Sequence, residues 1–178
     1  QYSQKEILHC LKEHLGRVYS SPHPPGKEIV EEYLALLRLP RLDDDARQAL
    51  DAELTVEELQ IAVGLLPRGK APGGDGLPAE FVSLCSPLVL RQMLQVFEEA
   101  RERGSLPPSM REGIISMILK SGVEASDPSS YRPITVINAD IKILCKVLAL
   151  RFSRIVTHLV GEDQCGFMPG RNTGMNLR

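Results

Sequence analysis

Lys120 and Arg132 are two cations flanking a polar loop. A lysine is a compact point charge and an arginine a planar fork of donors, so together they suit the oxygens of a phosphate. Lys120 follows the apolar run Gly113 to Leu119, which is bounded by breakers and reads as a strand. Arg132 precedes Pro133 and heads the β-branched run Ile134, Thr135, Val136 and Ile137. That run reads as a second extended segment with a basic residue fixed at its mouth. Lys120 to Gly122 leaves the first run as a turn, and Glu124 to Ser130 is polar. The two runs can therefore close a hairpin with one cation near each arm. On residue types alone, two surface charges beside a hairpin fit equally.

A second candidate lies between Arg68 and Phe81. Gly69, Gly73, Gly74 and Gly76 exclude a regular element there. They are expected to leave backbone amides exposed beside Arg68 and Lys70, a combination suited to a phosphate. The plainer reading is a glycine-rich connector. The stretch Gly64 to Lys70 nearly spells a nucleotide-binding P-loop, but Ala71 stands where that motif needs Ser or Thr for magnesium. A helical pattern also precedes it where a strand is required, so that motif is rejected. Asp43, Asp44 and Asp45 read as the acidic first turn of a helix, since consecutive helical residues point apart and do not gather around one ion. Cys10, Cys85, Cys145 and Cys165 are scattered without a Cys-x-x-Cys pair, and four histidines supply no matching cluster. Zinc is not expected, and reduced thiols in an intracellular protein are.

The elements that must position these residues are mostly helical. Apolar stripes mark helices over residues 4–15, with Ile7, Leu8, Leu11 and Leu15, and from Ile29 to Leu37, ended by Pro40. Ser20 to Gly26 is a breaker cluster and a linker. Thr55 with Glu58 is a capping box, and a helix through Leu59, Ala62, Val63 and Leu66 runs to Pro67. Pro78 opens a short helix through Phe81. Ser86 and Pro87 start another that reaches about Arg103, with Val89, Met93, Val96, Phe97 and Ala100 on its apolar side and Gly104 as C-cap. Asn138 can cap a long helix from Asp140 to Leu159 whose apolar face is Ile141, Leu144, Cys145, Leu148, Phe152, Ile155, Val156 and Leu159. Lys142, Lys146, Arg151 and Arg154 then fall on its solvated faces, where they can also track a nucleic acid. Gln164 to Arg171 reads as a turn with one buried aromatic, Phe167.

The chain has 178 residues, 43% of them hydrophobic and 4% aromatic, with no tryptophan, so aliphatic side chains must fill its core. No apolar run approaches a membrane span. The net charge of −2 argues against a free-standing nucleic-acid binder, but the charge is uneven. Residues 1–110 carry 12 basic and 17 acidic side chains, and residues 111–178 carry 9 basic and 6 acidic. A phosphate-contacting surface needs the second kind of balance, though an excess this small is also ordinary scatter. The amino terminus, Gln1 to Lys5, has neither initiator methionine nor signal-peptide character, so the chain reads as a piece of a longer frame or as a processed product.

Four stretches carry a resemblance: Tyr131-Arg132-Pro133-Ile134, Asn138 to Leu144, Leu148 to Arg151, and Asp163-Gln164 through Gly170-Arg171. In order and spacing they resemble the fingers region of reverse transcriptases of non-LTR (LINE-type) retrotransposons. The stretch Gly69 to Gly76 is similar to the segment at the front of those domains. The resemblance implies an α+β fold, mostly helical: the fingers subdomain of a right-hand polymerase with a short antiparallel hairpin, the palm absent. It divides the chain into a helical upstream segment, 1–52, and a partial reverse transcriptase domain, 53–178. It implies that Lys120 and Arg132 hold the phosphates of an incoming dNTP. It implies template–primer contacts for Lys70, Gln164, Gly166, Phe167 and Arg171, with Gly166 allowing close approach, Phe167 stacking on a base and Arg171 meeting a phosphate.

Nucleotidyl transfer needs two metal ions held by acidic side chains. In this family those aspartates belong to palm strands, and no matching aspartate pair occurs in this sequence. No catalytic or metal-binding residue is therefore expected here, and no cofactor in this chain, although Mg2+ is expected for the full-length family enzyme. The implied partners are an RNA template, a DNA primer, dNTP, and the palm and thumb regions of a longer chain. No membrane is among them. The family implies the nucleus and cytoplasm. Two readings follow: a fragment of an RNA-directed DNA polymerase that is not catalytic alone, or a non-catalytic remnant that binds nucleic acid or protein. A decayed element without function is a third. Apolar surface that a palm would cover predicts marginal stability and aggregation.

Overall fold

A computed structural model of the chain describes residues 3–20, 25–37, 40–85, 87–168, 170–172 and 174. Most of the expected linker Ser20 to Gly26 lies outside these residues, as do Ser86 and Pro169. The chain divides into two compact units, Gln1–Arg38 with Ile115–Thr135, and Leu39–Ile114 with Val136–Arg178.

The first unit contains α1 (Gln4–Val18), α2 (Lys27–Leu36) and most of a hairpin. α1 begins with a capping box that the apolar stripe did not reveal. The Ser3 Oγ accepts from the Glu6 amide at 3.3 Å, and the Glu6 carboxylate accepts from the Ser3 amide at 2.7 Å. α1 packs on a 3-10 turn, Pro128–Ser130, in the hairpin loop. Neither α1 nor α2 contains a buried residue, and Leu8, Ile29, Tyr33 and Leu36 are exposed.

Strands β1 (Gly113–Leu119) and β2 (Tyr131–Ile137) pair antiparallel in a two-stranded sheet, as the breaker-bounded apolar runs predict. The loop between them turns at Gly122, whose φ of 74° favours glycine.

The second unit holds the core. It contains α3 (Asp44–Asp51), α4 (Val56–Gly64), α5 (Ala79–Ser83), α6 (Pro87–Arg103), α7 (Ala139–Ser153) and α8 (Val156–Leu159). Asp43 caps α3 through the Ala46 amide, leaving Asp44 and Asp45 in its first turn. The Thr55–Glu58 capping box forms in both directions and starts α4. α4 then packs against α6 and α7. Leu59, Ile143 and Val147 are fully enclosed, with Ala62, Val82, Leu90, Phe97 and Ala139 around them. Burying a side chain such as Leu59 stabilises the fold by about 1.5–3 kcal/mol relative to leaving it exposed.

Several expectations are corrected. α4 ends at Gly64, short of Pro67. On α6 the buried residues are Leu90, Phe97 and Ala100, with Met93 and Leu94 against the core; Val89 and Val96 flank that face and are half-buried. The helix closes as expected at Gly104, φ 66°. The Gly104 amide bonds the Arg101 carbonyl and the Ser105 amide the Ala100 carbonyl, a Schellman closure. The long helix after Asn138 is broken, with α7 stopping at Ser153 and α8 beginning at Val156. At the break, the amides of Arg154 and Ile155 bond carbonyls three residues back, which tightens the turn until the helix ends. The face of α7 is also rotated: Ile143, Val147 and Arg151 are buried, whereas Cys145, Leu148 and Phe152 are exposed. α7 is apolar on several sides, so its period alone cannot choose the side that meets α4. Among the described residues, no helix is long and apolar enough to cross a membrane.

Candidate functional site

In the first unit the hairpin carries both cations, but they differ. The Lys120 amide donates to the Ser130 carbonyl at 2.9 Å, which sets the register. Arg132 lies two residues further along the returning strand. The Lys120 Nζ donates to the Ser129 carbonyl at 2.8 Å and is half-buried. Arg132 is exposed, and no hydrogen bond or ion pair occupies its guanidinium among the described residues. The loop is braced below them. Asp127 accepts from the Ser129 amide and hydroxyl, and the Tyr131 hydroxyl donates to the Ala125 carbonyl. Those Ser129 bonds hold the Asp127 carboxyl below the usual range, with smaller help from His14 and Lys120. A tethered lysine and a free arginine thus share one short ribbon. The arginine is the member ready to receive an anion without first breaking a bond.

In the second unit the glycine-rich loop is built differently from the open amide nest expected. The Gly69 amide is taken by the Glu80 carboxylate, and the Leu77 amide by Asp75. The Gly76 amide bonds the Gly73 carbonyl, and the Asp75 amide bonds the Asn138 Oδ1 at 3.3 Å. The amide of Gly69 also holds the Glu80 carboxyl low. These backbone donors are spent inside the chain, on carboxylates as much as on carbonyls. What the stretch offers a phosphate is its cations, Lys70 and, just before the loop, Arg68, both exposed.

Asn138 is the residue that sequence reasoning misassigned here. It occupies the N-cap position of α7, but its side chain makes no cap bond. The buried carboxamide instead accepts from Asp75 and donates from Nδ2 to the Ser109 carbonyl at 3.3 Å. Gly73 is docked on it. A Cβ at Gly73 would lie 2.1 Å from the Asn138 Oδ1 and 2.5 Å from its backbone nitrogen. The signal was in the sequence only as a glycine without an evident turn. Gly74, Asp75, Ser109, Glu112, Ile114 and Asn138 line a cleft of about 330 Å³ beside this junction. Asp140 lies at the same helix start. Burial pushes its carboxyl up, and the Asp75 carboxylate adds to that shift.

The segment after α8 gathers Gln164, Gly166, Phe167 and Arg171 in one irregular turn. Phe167 is corrected from a buried to a fully exposed aromatic, at a φ of 61°. That backbone region is unusual for a bulky residue. Gly166 has open space on one side, since a Cβ there would meet only the Gln164 amide at 3.5 Å. The Gln164 Nε2 donates to the Gly166 carbonyl. Arg171 is half-buried, and its η nitrogens donate to the carbonyls of Thr157, Val160, Gly161 and Gln164. Its fork closes the carbonyl end of α8, so an anion there would meet the remaining edge of an occupied guanidinium.

Arg151 departs most from expectation. It is buried rather than solvated, with a relative exposure of 8%. Its fork meets both oxygens of Glu58 and the carbonyls of Leu50, Ala52 and Glu53. The nucleic-acid track proposed for α7 therefore lacks this member. Among the described residues no three His, Cys, Asp or Glu side chains gather as ligands for a metal ion. The magnesium that the resemblance implies for the full-length enzyme finds no set of ligands among the described residues.

No family model matches the chain. It is similar to curated transposon proteins. It is 30% identical over 157 residues to the "Transposon TX1 uncharacterized 149 kDa protein" of Xenopus laevis, covering 88% of this chain and 12% of that protein. It is 32% identical over 124 residues to the "RNA-directed DNA polymerase from mobile element jockey" of Drosophila funebris, covering 68% of this chain and 14% of that protein. A third, the "Probable RNA-directed DNA polymerase from transposon BS" of Drosophila melanogaster, is 24% identical over 96% of this chain and 19% of its own length. The chain thus spans less than a fifth of each of these relatives.

Proposed function

Because the chain's homologues are proteins of non-LTR retrotransposons, we propose that it is part of an RNA-directed DNA polymerase that contacts the nucleotide and the template–primer but does not polymerise alone. The observation that carries this reading is the hairpin, where Arg132 stands exposed with a free guanidinium beside a tethered Lys120. A triphosphate carries charge that must be neutralised as it reacts, and a planar fork beside a fixed ammonium does this with little reorganisation.

In this reading residues 53–178 are the fingers and the approach to the palm of a right-hand polymerase domain, and residues 1–52 a helical segment upstream of it. Lys120 and Arg132 hold the dNTP phosphates. Lys70, Gln164, Gly166, Phe167 and Arg171 meet the RNA template and DNA primer. Phe167 supplies a stacking face, and Gly166 leaves room for a backbone to approach. The acidic side chains that hold Mg2+ come from the palm region of the longer element product, and palm and thumb are the partners of this part. The protein acts inside the cell, in the nucleus and cytoplasm.

The test is fluorescence anisotropy of the purified chain with a labelled RNA–DNA hybrid, titrated across salt. Each phosphate neutralised contributes about −0.9 to the slope of log K against log[salt] for duplex DNA, and a similar slope is expected for the hybrid. Binding by wild type, weakened by Phe167→Ala and Lys70→Ala, supports the template–primer part. Arg132→Ala is then read in the polymerase as it exists in the whole element, where a raised KM for dNTP is expected. No hybrid binding by wild type, or dNTP incorporation by this chain alone, overturns the proposal.

A further inference from the structure

The Asn138 carboxamide sits where three segments of the second unit meet: the glycine-rich loop, the connector before β1, and the start of α7. It accepts from Asp75 on the first and donates to Ser109 on the second. Its own backbone begins the third. Gly73 is pressed onto it so closely that no other residue fits. Its Cβ would also come within 2.6 Å of the Ile137 carbonyl carbon. Asn138 is buried and both ends of its amide are used, so the contact is a built junction rather than a chance approach. The α7 side adds a second tie, from the Lys142 Nζ to the Ala71 carbonyl at 3.4 Å.

We infer that Asn138 is a positioning residue: with Gly73 docked on its side chain, it locks the glycine-rich loop in the one shape that presents Lys70 outward. The inference rests on the proposed template–primer role of Lys70 and gives that role its mechanism. A glycine-rich segment has high conformational freedom, so without an anchor it would have to be ordered at each binding event. The anchor here is internal, and the amides of Gly69, Asp75, Gly76 and Leu77 already donate within the chain. The loop therefore brings the Lys70 ammonium to a phosphate from a fixed place. It does not wrap an anion in backbone donors.

Two measurements on the purified chain test this. The first is amide hydrogen exchange by mass spectrometry. Asn138→Ala and, independently, Gly73→Ala should expose peptides spanning 69–77 while peptides from α4 and α6 keep their protection. Gly73→Ala guards against a failure of Asn138→Ala to fold, because it expels the loop by contact alone. The second is hybrid binding across salt. Lys70→Ala should lower the salt slope by about one phosphate. Gly73→Ala and Asn138→Ala should each lower it by the same amount, and either combined with Lys70→Ala should lower it no further. A structural role alone would leave the two effects additive. If wild type binds no hybrid, the template–primer reading falls and the positioning role falls with it, even where exchange shows the lock. If wild type binds, but freeing the loop leaves the salt slope unchanged or adds to the Lys70→Ala effect, that reading stands and the positioning role is wrong.

Discussion

Arg151 closes a two-point fork on Glu58, with both its Nε and an η nitrogen 2.7 Å from the carboxylate oxygens, across 93 residues of sequence. The other η nitrogen reaches the carbonyls of Leu50 and Ala52 at the end of α3. Glu58 is itself half of the capping box that starts α4. One guanidinium thus ties the end of α3, the start of α4 and the last turn of α7.

Replacing Arg151 should therefore cost more than any surface charge. Arg151→Met leaves the Glu58 carboxylate and three carbonyls without their donor, and should destabilise the chain by about 3–5 kcal/mol. Arg151→Lys keeps the charge but cannot bridge both oxygens and the carbonyls, and should recover less than half of that loss. Urea denaturation at neutral pH checks both. A loss below about 1 kcal/mol for Arg151→Met would mean that the fork is not formed in solution.

The same pair predicts the acid limit of the fold. The Arg151 guanidinium is the main reason that the Glu58 carboxyl lies below its usual range, with the Thr55 bonds adding to it. A carboxyl depressed on folding contributes stability that is fully present above its unfolded value and is lost as pH falls through its folded value. Stability should hold from neutral pH down to about pH 4.5, the ordinary glutamate range, and fall below it. Glu58→Gln should be less stable at pH 7 and should lose part of that acid slope. Equal slopes for the two proteins would assign the acid transition to other carboxyls.

Phe167 separates stability from binding. Phe167→Gly relieves a positive φ but adds backbone freedom to the unfolded chain, and these opposing effects should nearly cancel, leaving the melting temperature little changed. The exposed ring is lost, however, and base stacking of about 1–3 kcal/mol should vanish from hybrid binding. A variant that binds as wild type does would show that the ring does not meet a base.

Arg171 is expected to behave as a tie first. Arg171→Ala frees the carbonyls of Thr157, Val160, Gly161 and Gln164, and amide exchange should speed up over residues 157–168. Its effect on hybrid binding should then follow the disorder of that turn. Arg171→Lys should restore some protection if charge near the end of α8 suffices, and little if the fork is required.

The local signals in the sequence were readable and the distant ones were not. The Thr55 capping box, the Gly104 closure and both hairpin strands rest on neighbours a few residues apart, and each was found where its residues predicted it. The acidic start of α3 was also expected, but Asp43 caps the helix where it reads as part of the first turn. The apolar face of α7 was misjudged because Cys145, Leu148 and Phe152 have the same period as Ile143 and Val147 without the same neighbour. Arg151 looked like any helical surface cation, since nothing beside it in the sequence announces Glu58. Asn138 was placed correctly at a helix start, but its side-chain partners lie 29 and 63 residues away. At the hairpin, position followed from the pattern. The difference between a tethered Lys120 and a free Arg132 did not, because it depends on where the Ser129 carbonyl turns.

The Arg151 tie has a consequence for synthesis on the ribosome. Its carbonyl partners are separated from it by 98 to 101 residues. At about 5–20 residues per second, the nascent segment bearing α3 and α4 waits roughly 5–20 s for its clasp to be translated. During that interval the carboxylate of Glu58 is in water and the apolar side of α4 lacks α7. Chaperone capture of the growing chain should therefore be greatest before the codon for Arg151 is read, and should fall once the helix carrying it emerges.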